Sequence, residues 1–130
     1  MKAKPILLLI AILFISFAGT KQSSAQQKNA AVTISDSNTI LSFKAKYDPA
    51  KTSQIQQCMT DALKETGYSF KNTQLDAQLT LTGGINFYIK SDKGELVLKF
   101  DKRKNNTADY TKFKKMCDGI KAIVQGNNCL

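Results

Sequence analysis

Leu75-Asp76-Ala77-Gln78-Leu79-Thr80-Leu81-Thr82-Gly83-Gly84-Ile85-Asn86-Phe87-Tyr88-Ile89-Lys90-Ser91-Asp92-Lys93-Gly94-Glu95-Leu96-Val97-Leu98-Lys99-Phe100 is the stretch that decides the fold. Leu75, Ala77, Leu79 and Leu81 alternate with polar residues, as do Ile85, Phe87 and Ile89; Leu96, Leu98 and Phe100 alternate with Val97 and Lys99. Period-two alternation places one apolar face on each of three strands. Gly83-Gly84 and Ser91-Asp92-Lys93-Gly94 supply the turns. The stretch is therefore an antiparallel three-strand meander.

Downstream, residues 102–106 form a polar, basic link. Thr107 is the expected N-cap of a helix. Tyr110, Phe113, Cys117, Ile120 and Val124 recur at helical spacing, and Gly126 ends the pattern. Gly119 lies inside this helix, where it costs about 1 kcal/mol relative to Ala. Upstream, Asp48-Pro49 opens another helix, Asp48 capping and Pro49 at its first position. Ile55, Cys58, Met59, Ala62 and Leu63 share one face of it, and Gly67 stops it, so the expected span is 49–66. Residues 68–73 are ambiguous, because Phe70 and Leu75 differ in parity; a bulge or bend is expected there. Before the helix, residues 32–35 and 41–47 alternate around the turn Asp36-Ser37-Asn38, which reads as two more strands.

The order is β-β-α-β-β-β-α, in an α+β chain. Each strand has one apolar face and each helix one apolar stripe. A two-layer sandwich buries them all: an antiparallel sheet of four to five strands with both helices on one face. The other sheet face is left wet.

The remaining sequence bounds the class. The chain has 130 residues. Lys2 and Lys4 precede thirteen nearly unbroken apolar residues (6–18), and Ser23-Ser24-Ala25 offers small residues before a cut at Gln26. This is the pattern of a secretory signal over residues 1–25, with cleavage after Ala18 as the weaker alternative. The apolar run spans about 20 Å as a helix, short of the roughly 30 Å of a bilayer core, which favours cleavage over anchoring. The expected mature chain, 26–130, is one small domain, a monomer, periplasmic or secreted. It keeps 16 basic and 10 acidic residues, a charge of +6. There is no His. That excludes Ser-His-Asp and Cys-His catalysis and His-ligated metals. No cofactor or metal is expected.

Three cysteines in an exported chain favour one disulfide and one free thiol. Cys58 and Cys117 sit midway along the two helices, at the edges of stripes that face the same sheet. A Cys58–Cys117 bridge with Cys129 free is the leading expectation. A bridge using Cys129, one residue from the end, is the alternative.

Two features could bind a ligand. Between Lys99 and Lys121 lie eight basic and three acidic residues, Arg103, Lys114 and Lys115 among them. Such a run is either a solvated surface or an anion-facing patch. The wet sheet face carries Ser42, Lys44, Lys46, Asp76, Gln78, Thr80, Asn86, Tyr88, Lys90, Val97 and Lys99. Tyr88 among lysines suits stacking on a sugar or a base. The candidate binding residues are therefore Lys44, Lys46, Tyr88, Lys90, Lys99, Arg103, Lys114 and Lys115. Lys93-Gly94-Glu95-Leu96-Val97-Leu98-Lys99-Phe100 has the length and start of the central strand motif of RNA-recognition domains, but Glu95 and Val97 stand where stacking aromatics are needed. That reading is rejected, and export removes the usual nucleic-acid targets. Asn105-Asn106-Thr107 matches a glycosylation acceptor, which matters only in a eukaryotic secretory pathway.

The expected function is a non-catalytic exported binding domain for an anionic envelope component or a protein partner. The alternatives are an inhibitor of a secreted enzyme and a small enzyme working with Lys, Tyr, Asp or Glu. A deep pocket with paired titratable groups would favour the enzyme; a flat basic surface favours binding.

Overall fold

The computed structural model describes residues 30–71 and 74–130. The expected signal and the cut before Gln26 lie outside the described residues. β1 (Ala31–Asp36) and β2 (Ile40–Lys46) precede α1 (Thr52–Ala62); β3 (Leu75–Thr80), β4 (Asn86–Asp92) and β5 (Glu95–Asp101) precede α2 (Thr107–Val124). The five strands form one antiparallel sheet in the order β1-β2-β5-β4-β3. The expected α+β order and two-layer architecture are those of the structure.

The alternating residues of the sheet meet the helical stripes in one core. Phe43, Phe87, Leu98, Ile55, Leu63, Phe113 and Ile120 are all buried in it. Aromatic rings run through this layer: Phe70, Phe87, Phe113 and Phe100 follow one another with centroids 6.5, 5.1 and 4.8 Å apart. Leu79 departs from expectation and is only half-buried. It lies on β3, one of the two edge strands, where there is no further strand to cover its flank.

The first helix is also not the continuous 49–66 element expected. Pro49–Lys51 and Lys64–Thr66 are short 3-10 turns flanking α1. Asp48 does cap, accepting from the Ala50 N–H at 2.9 Å, and Gly67 ends the segment in the left-handed region. Thr60 explains the tight exit. Its hydroxyl donates to the Gln56 carbonyl and accepts from the Phe70 N–H, drawing the returning chain against α1. Phe70 thus enters the core from a connecting segment, outside β3, which accounts for its parity. The N-cap of α2 is Asn106, whose side chain accepts from the Asp109 N–H, and Thr107 is the first helical residue. The lysine Lys51 caps the far end of α2 through the Ile123 and Val124 carbonyls.

The cysteine pairing corrects the leading expectation. Cys58 is bonded to Cys129, with Cα atoms 5.8 Å apart, and Cys117 is the free, buried thiol. The reason lies in which way α2 faces. Cys117 points into the core, and burial pushes its thiol up to about 12. Gly119 faces Cys58 of α1: a Cβ there would stand 3.1 Å from the Cys58 sulfur and 3.0 Å from that of Cys129. The chain reverses after α2 through Gly126 (φ 93°), with Asn127 N–H bonded to the Ala122 carbonyl. That reversal lays Cys129 over the bare backbone of Gly119. No helix among the described residues is long and apolar enough to cross a membrane.

Candidate functional site

Because side chains alternate along each strand, the sheet's outer face is a set of cross-strand rows. One row runs Thr33, Lys44, Val97, Lys90, Asp76 across all five strands. The next runs Ser35, Ser42, Lys99, Tyr88, Gln78. Lys44 and Lys90 flank Val97, about 10 Å apart at the backbone, and Lys99 stands two residues along from Val97. The structure thus brings together Lys44, Lys90, Lys99 and Tyr88. None of these three lysines has an ion-pair partner among the described residues. Lys46 lies farther along β2, opposite Glu95.

Polar side chains on β3 and β4 are tied to one another. The Tyr88 hydroxyl donates to Asp76 Oδ1 at 2.5 Å, which pushes the Tyr88 phenol above its ordinary value. Gln78 donates to Asn86, and Asn86 to Thr80. At the end of this array an open groove of about 580 Å³ is lined by Ile40, Ser42, Gln78, Tyr88, Lys99, Asp101 and Lys104. Lys104 was not among the expected binding residues. Its place on this face follows from the turn after β5, which no alternation pattern reveals. That turn is held by Asn105, whose side chain bonds the Asn86 N–H and carbonyl and the Asp101 carbonyl. The Asn of the acceptor-like triplet is therefore a structural tie.

The other expected binding residues lie elsewhere. Arg103 is folded onto Asp101 through two guanidinium contacts at 3.0 Å. Lys114 pairs with Asp118 along α2. Lys115 lines a separate cleft of about 300 Å³ with residues of α1, Cys129 and Leu130. The basic run between Lys99 and Lys121 is thus no single patch. Lys102 bonds Asp36 and Lys112 bonds Glu65, so four of its eight cations are paired with acids.

Asp36 is the hub of one such tie. Lys102 contacts it at 2.6 Å, and the Tyr110 hydroxyl donates to it at 2.5 Å. The two contacts, Lys102 first, hold the Asp36 carboxyl below the usual carboxylate range. A carboxyl depressed in the folded state contributes stability that is present above its unfolded value, about 3.9, and is lost as pH falls through the folded one. Asp36→Asn is expected to flatten the loss of stability on acidification below about pH 4. Unfolding midpoints measured across acidic pH for both proteins check this; parallel curves would refute the tie.

The carboxyls of Asp36, Glu65 and Asp101 depart from their ordinary ionisation. Each is held low, by Lys102, Lys112 and Arg103 respectively. A general acid at neutral pH needs the opposite shift. No cluster of three Cys, Asp or Glu side chains that could hold a metal ion occurs among the described residues. Comparison of the chain with protein-family models, with curated proteins and with solved structures finds no match.

Proposed function

We propose that this chain is an exported, non-catalytic binding domain that takes an anionic envelope ligand on the outer face of its sheet. The observation that carries the reading is the grouping of Lys44, Lys90 and Lys99 around Val97 and Tyr88, without acid partners for the three ammonium groups. Unpaired cations on a hydrogen-bonded sheet meet an anion with little rearrangement of the backbone. The Cys58–Cys129 disulfide supports an oxidising compartment, as does the signal pattern of residues 1–25.

The test is capture from an envelope extract with the folded protein as bait. Between about 0.01 and 0.1 M salt the screening length falls from about 30 Å to about 10 Å, so capture is expected to weaken across that range. Reversing Lys44, Lys90 and Lys99 to Glu should abolish it. Reversing Lys115, on the helical layer, should not. Capture that ignores both salt and the sheet lysines would overturn the reading.

A further inference from the structure

We infer that the groove at Tyr88 is a subsite for an acidic sugar, a uronic-acid unit of an oligosaccharide chain; this rests on the binding reading above and names its ligand. The groove mixes groups that a simple polyanion site does not need. Lys99 and Lys104 supply cations, and Ser42 and Gln78 supply hydroxyl and amide groups. Asp101 stands in the wall, and Asp76 holds the Tyr88 hydroxyl by one carboxylate oxygen. The other oxygen of Asp76 has no partner among the described residues.

Phosphodiester chains and acidic peptides bring negative charge with few hydroxyl donors, so the Asp76 carboxylate would oppose them, whereas Asp101 is already paired with Arg103. A uronic acid brings both parts. Its carboxylate suits the lysines, its hydroxyls suit Asp76 and Gln78, and its C–H face suits the Tyr88 ring. A lipid surface is disfavoured by the same face. Val97 is half-buried, and Leu130, at the far end of the chain, is the large apolar side chain that stands exposed among the described residues.

The wall is also ordered in advance. The Tyr88–Asp76 bond fixes the ring, and the Gln78–Asn86–Thr80 chain fixes the amide. Groups held before binding lose less freedom when the ligand arrives. The row Ser42, Lys99, Tyr88, Gln78 crosses four strands, about 14 Å, the length of a short oligosaccharide.

The experiment titrates the folded protein with oligogalacturonate, with cello-oligosaccharide of the same length, and with polyglutamate. Oligogalacturonate is expected to bind at least about tenfold more tightly than either control. Tyr88→Ala and Lys99→Glu should each weaken it about tenfold or more, while Lys115→Glu, on the helical layer, binds as the parent does. Unfolding midpoints of every variant separate lost binding from lost folding. Equal binding of polyglutamate, insensitive to Tyr88→Ala, would overturn the sugar subsite and leave the anionic face standing. Binding of none of the three would also overturn the subsite, and the envelope capture would then decide the wider reading on its own.

Discussion

Phe113→Ala is expected to lower stability by about 3–5 kcal/mol. Phe113 is fully buried on α2, with Phe100 at 4.8 Å and Phe87 at 5.1 Å between ring centroids. Its removal leaves a cavity where the two layers meet, and it also removes two ring–ring contacts. Those contacts come from β5 and β4, strands held in register by their ladder, so neither can slide inward to fill the space. For a domain of this size the loss corresponds to a fall in melting temperature of roughly 15–30 °C. A whole domain has only about 5–15 kcal/mol. Lys90→Ala, on the outer face, is the matched control and should cost under about 0.5 kcal/mol. Thermal and denaturant unfolding of both variants measures the contrast. Equal losses would mean that the two faces of the sheet have been assigned wrongly.

Removing the Cys58–Cys129 bridge by replacing both cysteines with Ala is expected to cost about 4 kcal/mol. The bridge joins residues 71 apart in sequence, and closing a loop of that length removes much of the unfolded chain's freedom. Gly119 provides a second readout with a change of sign. In the oxidised protein, Gly119→Ala should destabilise, because the new Cβ meets two sulfurs that the covalent bond holds in place. Without the bridge, the same substitution should stabilise by up to about 1 kcal/mol, the ordinary advantage of Ala over Gly in a helix. Non-reducing peptide mapping identifies the pair directly. Thiol labelling should find one cysteine, Cys117, reactive only after unfolding, since it is buried and its thiol is pushed up to about 12. A Cys58–Cys117 peptide would refute the geometry at Gly119.

The strands, their faces and the layer order were legible in the chain, because alternation and helical spacing are local records of which side is buried. Leu96-Val97-Leu98-Lys99-Phe100 shows its inner and outer residues without any partner being known. The sheet lysines and Tyr88 were legible for the same reason. Strand order was not. Lys44, Lys90 and Lys99 come from β2, β4 and β5, and only the insertion of β5 between β2 and β4 makes them neighbours. Pairing of charges was equally hidden. Asp36 reaches Lys102 and Glu65 reaches Lys112 across long stretches of chain, so a run that is basic in sequence becomes half neutralised in space. The cysteines mark the boundary most sharply. Period places Cys58 and Cys117 on apolar stripes, but a stripe is wider than one side chain and does not give a helix's rotation about its axis. That rotation is set by packing against the sheet and the neighbouring helix. It turns Cys117 inward, presents Gly119 to α1, and leaves Cys129 as the sulfur within reach.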